Sequence, residues 1–162
     1  MITLEDGTGL ENSNALISAA EFQAFAADRG EDISAYDETA QEAAIVVASV
    51  NHIDTFYTFK GDALNDGQAM QLPTDEVTIT NKIKLACYES ALLHLKGRLF
   101  VDPTAFTQEG AVTGKTDSVG SLSTSRAYAE GYERTNLYPT VIVDRLLQPY
   151  TVSAGMGTVK RW

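Results

Sequence analysis

Apolar residues between Thr80 and Phe100 recur on two adjoining helical stripes. Ile83, Cys87, Ala91 and Leu95 form one, Leu85, Tyr88, Leu92 and Leu99 the other, with Ala86 and Leu93 between them. A helix that is apolar around most of its circumference is a buried one. The pattern therefore predicts a central buried helix over 80–100, about 30 Å long at ~1.5 Å per residue. Thr80 is positioned to cap its start, and Lys96 and Arg98 fall where the helix dipole favours cations. Lys82, Lys84, Glu89, Lys96 and Arg98 make it too charged to span a membrane.

The chain upstream reads as shorter elements. Ile2-Thr3-Leu4 alternates like a strand and runs into the Asp6-Gly7 turn. Ser18 and Glu21 form a capping box for a helix with Ala19, Phe22, Phe25 and Ala26 on its inner face, and Gly30 supplies the stop. A second helix begins near Asp37 or Thr39, where Thr39 and Glu42 offer another capping box, and continues to about Tyr57. Ala43, Val46, Val50, Ile53 and Tyr57 line one side of it. Ala40, Ala43, Ala44 and Ala48 suit close approach to the central helix. Residues 59–78, interrupted by Gly61, Gly67 and Pro73, are expected to be irregular.

Beyond Asp102-Pro103 the pattern changes. Residues 107–136 are rich in Gly, Ser and Thr and have too few large apolar side chains to offset roughly 1–2 kcal/mol per residue of backbone entropy. An extended arm or β-hairpin, ordered against something else, is the expected form. Its contact residues are expected to be Val112, Lys115, Val119, Gly120, Leu122 and Tyr128. Tyr138-Pro139 opens a short helix with Val141, Ile142, Leu146 and Leu147 inward, which Pro149 ends. Thr151 to Trp162 reads as a pliable tail. Val152, Met156, Val159 and the terminal Lys160-Arg161-Trp162 have no evident place in a core and are suited to anchoring a partner. The fold class expected is mainly α: a small helical bundle around a central buried helix, with an arm at 107–136 inside a domain of residues 1–150 and a docking tail at 151–162.

Charge narrows the functional classes. The 162 residues carry a net −10. Residues 1–79 hold 15 Asp and Glu against 2 Lys and Arg, a net −13, and the remainder holds 7 against 10, a net +3. An acidic half of this strength repels phosphate. Mean hydrophobic content of 44% suits one core needing no disulfide or metal. The single Cys87 fits a core position in a reducing compartment. Met1 to Ala20 does not read as a secretion signal.

Candidate chemistry is sparse. Gly110 to Thr116, GAVTGKT, has three residues between its glycines where a phosphate-binding loop needs four. In Asp62 to Gly67 a calcium loop would find Leu64 at its third position and Pro73 at its twelfth, so a turn is expected. His52 and His94 lie on different helices with no Cys or carboxylate pattern around them in the sequence, so surface or core histidines are expected in place of ligands or bases. No catalytic residue, metal or cofactor is expected, and no enzyme.

Several stretches together resemble a known family. Leu4 to Leu10 (LEDGTGL), Asn12-Ser13-Asn14-Ala15, Ser18-Ala19-Ala20-Glu21-Phe22 and Arg29-Gly30 come first. Glu42-Ala43-Ala44 to Ile53-Asp54, Lys60-Gly61, Gln71-Leu72-Pro73, Lys84-Leu85-Ala86, Lys115 to Val119-Gly120 and Leu146 to Tyr150 follow in order. The chain resembles the head-tail adaptor (connector) proteins of tailed phages, some of which are labelled DnaT-like single-stranded DNA-binding proteins. It departs from them at Leu16, Phe59 and Leu72-Pro73-Thr74, where Tyr, Trp and Trp-Pro-Arg are usual. The resemblance implies a virion protein, made in the bacterial host cytoplasm, that forms a twelve-fold ring of its own copies beneath the portal protein. Such a ring extends the channel through which DNA passes and meets a neck, stopper or tail protein. The tail residues would then insert in the portal, and the arm residues would join subunits. The alternative is a single-stranded DNA-binding protein, which needs a basic groove with aromatic platforms; Lys115, Arg126, Tyr128, Tyr132 and Arg134 are the candidates.

Overall fold

A computed structural model describes residues 1–100, 112–118, 123–128 and 140–152. The chain divides into two compact units, Met1–Leu99 with Pro139–Trp162, and Phe100–Tyr138. The first is a bundle of four helices: α1 (Ala19–Asp28), α2 (Glu38–Val46, continuing as a π-helical stretch over Val47–Asp54), α3 (Asn81–Leu95) and α4 (Val141–Leu147). The fold is mainly α, and α3 is central, packing against α1, α2 with its π continuation, and α4.

Between Ile83 and Leu95 no residue of α3 is exposed, as its all-round apolar pattern requires. The helix stops five residues short of Phe100 because Gly97 adopts φ +66. There the N–H of Gly97 bonds to His94 O at 2.9 Å and that of Arg98 to Leu93 O at 2.8 Å, a paired closure that satisfies otherwise orphaned carbonyls. Lys96 and Arg98 thus lie beyond the last turn. α1 closes the same way, with Gly30 (φ +69) bonding to Ala27 O at 3.0 Å and Glu31 to Ala26 O at 2.9 Å. The two ends are tied together by Lys96 Nζ and Glu31 Oε2 at 2.6 Å and by the Arg29–Glu89 ion pair.

Helix starts follow local hydrogen-bonding chemistry. Ser18 and Glu21 make the expected capping box, Ser18 N donating to Glu21 Oε2 at 2.8 Å and Glu21 N to Ser18 Oγ at 3.2 Å. For α2 the cap is Asp37, whose Oδ1 accepts from Ala40 N at 2.7 Å. The Thr39–Glu42 box does not form, because Thr39 is already inside the helix. Thr80 occupies the cap position of α3 by its backbone angles, yet its hydroxyl is buried and makes no hydrogen bond among the described residues.

Two inner faces differ from expectation. In α2 the buried residues are Gln41, Ala44, Ile45, Ala48, Ser49, His52 and Ile53, while Ala43 is exposed and Val46 and Val50 are half-buried. Residues 41, 45, 49 and 53 and residues 44, 48 and 52 recur at intervals of four. On an α-helix each such step drifts by about 40°; the wider π turns bring the later members back to the core face. In α4, Val143 and Leu147 are buried and Ile142 is 52% exposed, so the helix is rotated from the inferred orientation. Leu16, Ile17, Phe22, Ile45, Ile53, Leu72, Ile83, Val143 and Leu147 fill the core, each contributing about 1.5–3 kcal/mol by burial.

The N-terminal segment is a loop joined by one parallel bridge, Leu4 to Ala15, in place of the expected strand. Its organiser is Glu5. The buried carboxylate accepts N–H bonds from Gly7 (3.1 Å), Gly9 (2.9 Å) and Leu10 (2.9 Å) and the Ser13 hydroxyl (2.7 Å). Residues 59–78 are irregular but packed, with Met70, Leu72, Pro73, Thr74 and Val77 buried. The Leu72–Pro73 peptide is cis. The Gln68 side-chain amide substitutes for ladder bonds by donating to Met70 O, Gln71 O and Pro73 O.

The second unit contains β1 (Val112–Ser118) and β2 (Ser123–Tyr128), an antiparallel pair.

Candidate interaction surfaces

The seam formed around Tyr150–Val152 is built by residues far apart in sequence. Lys60 N donates to Tyr150 O at 3.0 Å and Val152 N to Thr58 O at 2.8 Å, flanking the antiparallel bridge between Phe59 and Thr151. Lys60 Nζ adds a bond to Pro149 O at 2.8 Å. Thr151 and Val152, assigned to the tail from sequence, are therefore held in the bundle. Beneath them Gln71 N donates to Asp54 Oδ1 at 2.5 Å, and the Gln71 amide reaches Asp54 O and Tyr57 O. Burial raises the Asp54 carboxyl above its usual range, against the lowering bond from Gln71. Tyr57 Oη donates to Asp144 Oδ1 at 2.5 Å, tying the end of the π stretch to α4. Burial and then this bond keep the Tyr57 phenol protonated. Phe56 (67% exposed), Ile142 (52%) and Val152 (53%) each stand within two residues of these ties. They give the seam an apolar character that an interface can use.

A buried polar line runs between the π stretch and α3. Ser49 Oγ accepts the Leu16 N–H at 3.0 Å and lies 3.3 Å from Cys87 Sγ. Ser90 Oγ donates to Ala86 O at 2.9 Å, which spends its single proton. His52 Nδ1, 2.9 Å from Ser90 Oγ, is then the donor, and Nδ1 carries the hydrogen. Burial holds the His52 imidazole below its ordinary range, partly opposed by Asp144. Burial likewise pushes the Cys87 thiol up to about 12, so it stays protonated as a core residue and not a nucleophile at neutral pH. These groups fix the register of two helices.

Charge is strongly unbalanced. Residues 1–100 and 140–152 contain 17 Asp and Glu against 7 Lys and Arg, a net −10. The strand register places Lys115 opposite Arg126, flanked by Thr116 opposite Ser125 and Asp117 opposite Thr124.

Only some of the residues singled out from sequence lie among those described. Val112, Lys115 and Tyr128 are strand positions, Val112 and Tyr128 being register partners. Val152 is at the seam. Val119, Gly120, Leu122, Tyr132, Arg134, Met156, Val159, Lys160, Arg161 and Trp162 lie outside the described residues. In the glycine-containing stretch GAVTGKT, Val112 to Thr116 is strand. Asn65 of the suspected calcium loop donates to Thr8 O and Gly9 O, which makes it a brace for the N-terminal loop. Among the described residues no three His, Cys, Asp or Glu are grouped to hold a metal, and no helix is long and apolar enough to cross a membrane. Sequence reasoning missed Phe56 and Ile142, whose exposure depends on the π geometry and on the roll of α4.

A family model described as "Putative DnaT-like ssDNA binding protein" matches residues 1–161. No curated protein and no solved structure matches the chain.

Proposed function

The chain belongs to the putative DnaT-like ssDNA binding protein family; from the resemblance of its motifs to the head-tail adaptors, we propose that it is a structural head-tail adaptor of a tailed phage. Copies of it assemble into a ring, twelve-fold by the resemblance of its motifs to the adaptors. The ring docks on the portal, extends the DNA channel and offers its far side to a neck, stopper or tail protein. Its place is the neck of the virion.

One observation carries this reading. A helical bundle with its own core has 17 carboxylates against 7 cations over residues 1–100 and 140–152, and the same chain carries a long segment between α3 and α4 and another beyond Val152. A surface of that sign suits a channel through which DNA slides, because it offers phosphates no cation-lined resting place. Binding of single strands calls for the opposite, a basic groove with stacking platforms. The sequences of these two segments, one rich in Gly, Ser and Thr and the other ending in Lys160-Arg161-Trp162, suit contacts with neighbours and with the portal.

Electron microscopy of the protein mixed with portal-bearing capsids tests the proposal. An added ring at the portal vertex is expected. A chain truncated after Val152, which keeps the bonds to Thr58 and Lys60, should remain folded and fail to attach. Capsids that never gain density with the full chain would remove the reading.

A second reading, single-stranded DNA binding, is favoured by the description of the family and by the placement of Lys115 opposite Arg126. A mobility-shift assay with labelled oligodeoxythymidine separates the two. Tight binding at physiological salt, steeply weakened by added salt, would establish the second reading; the adaptor should give no shift there.

A further inference from the structure

The chain contains two Asp-Gly steps, Asp6-Gly7 and Asp66-Gly67. Aspartate before glycine is open to a backbone rearrangement, because glycine has no Cβ to shield its amide nitrogen from the preceding carboxyl. Both steps are exposed, so access does not distinguish them. Their hydrogen bonds do.

At Asp6 both reacting groups are held by other partners. Its Oδ1 accepts from the Thr8 hydroxyl at 2.6 Å and from the Thr8 N–H at 2.9 Å, and the Gly7 N–H is given to Glu5 Oε1 at 3.1 Å. The Thr8 hydroxyl, and then the Thr8 N–H, hold the Asp6 carboxyl below its usual range, so little of it is present as the neutral acid, the form that can lose water. Asp66 and Gly67 are instead the central residues of a turn closed by Gln68 N to Asn65 O at 3.2 Å. Leu64 N and Asn65 N donate to Gln68 Oε1 at 2.9 and 3.3 Å. The amides around the step are thus occupied, whereas the Gly67 N–H and the Asp66 carboxyl make no hydrogen bond among the described residues.

From this contrast we propose that Asp66 is a site of spontaneous modification, at which the chain isomerises to isoaspartate through a succinimide. The Gly67 nitrogen attacks Cγ of the Asp66 carboxylic acid. An N–Cγ bond forms, and the amide proton and the acid hydroxyl leave together as one water. One solvent water then adds across either of the two ring C–N bonds. Opening at Cγ restores Asp66, while opening at its backbone carbonyl carbon routes the main chain through Cγ and lengthens it by one methylene. On one side of the step Asn65 Nδ2 donates to Thr8 O at 2.6 Å and to Gly9 O at 3.1 Å; on the other, Gln68 Nε2 donates to Met70 O, Gln71 O and Pro73 O. An added backbone atom between these two braces loosens the turn from the N-terminal loop. It also leaves an isoaspartyl carboxyl, the substrate class of methyltransferases that recognise such groups. The assignment goes beyond the adaptor reading and does not depend on it.

The test ages the full chain, folded and urea-denatured, in mildly acidic buffer at physiological temperature. Peptide mapping by mass spectrometry locates the succinimide by its loss of one water and isoaspartate by its changed retention at unchanged mass. An isoaspartyl methyltransferase with labelled S-adenosylmethionine counts the modified sites. In the folded chain isoaspartate should accumulate at residue 66 at least about tenfold faster than at residue 6, where the reacting groups are held away from each other; in the denatured chain the two steps should convert alike. Two variants should suppress the signal and keep the helical circular dichroism spectrum. Asp66→Glu would have to close a less favourable six-membered ring. Gly67→Ala shields the nitrogen with a Cβ whose nearest neighbour is the flexible end of Glu11, Oε1 at 3.3 Å. The aged wild type should melt below the fresh protein, and aged Asp66→Glu should not. Equal accumulation at both steps of the folded chain would overturn the proposal, as would methyl incorporation that survives Asp66→Glu. Conversion of Asp66 in the denatured chain but not in the folded one would show that the turn protects the step, and the assignment would be wrong.

Discussion

Glu5 is the residue on which the N-terminal loop depends. Three backbone N–H groups and the Ser13 hydroxyl converge on its carboxylate. Burial by itself would raise its pKa, but the Ser13 bond and the N–H bonds of Gly9, Leu10 and Gly7 outweigh it and hold the group below the usual carboxylate range. A carboxyl whose folded pKa is depressed contributes stability above its unfolded value, 4.5, and that contribution is lost as pH falls through the folded value. Glu5→Gln is expected to cost about 1–3 kcal/mol at neutral pH, since it leaves buried N–H groups poorly matched. It should also flatten the loss of stability below pH 4.5. Urea denaturation of both proteins at neutral and acidic pH checks each part. His52 runs the same way for a different reason: burial depresses the imidazole pKa, so protonation favours the unfolded chain and stability declines as pH falls below 6.5, its unfolded value. His52→Asn should remove that slope, measured as melting temperature between pH 5 and 7.

At the scale of elements, the sequence was most legible where one strong local signal acted alone. The Ser18–Glu21 box, Gly30 and the continuous apolar surface of α3 each correspond to what forms. Legibility failed where two signals competed or a tertiary rotation decided. Asp37 took the cap from Thr39, and polar Ser49 and His52 interrupted the stripe that would have revealed the four-residue period of the π stretch. Ile142 and Val143 are adjacent apolar residues in a seven-residue helix, too short for periodicity to choose between them. The exposed seam around Phe56 and Val152 was therefore hidden as well, because it follows from backbone pairing of Thr58–Lys60 with Tyr150–Val152. Val143→Ala should destabilise the bundle by about 1–3 kcal/mol through lost packing, whereas Ile142→Ser should change stability by about 0.5 kcal/mol or less. Parallel thermal melts settle the orientation of α4. Gly97→Ala adds a Cβ that meets nothing within 4 Å, so its expected cost of about 1–2 kcal/mol comes from the backbone angle alone.

For the whole molecule, α3 packs on α4 although the second unit, Phe100–Tyr138, lies between them in sequence. Deleting Gly110 to Ala129 should therefore leave a helical, cooperatively melting bundle while abolishing ring formation on capsids. Circular dichroism and microscopy of the same preparation check both halves, and a deleted chain that still formed rings would move the subunit contact onto the helices. The insertion has a further consequence, for variation between relatives. Closing a flexible loop costs only about 0.6 kcal/mol more for each doubling of its length. Lengthening, shortening or exchange of the segment between α3 and α4 is thus almost invisible to the stability of the bundle. On the adaptor reading proposed above, one scaffold could be refitted to portals and necks of different girth by changing that segment, under selection for fit with little regard to folding.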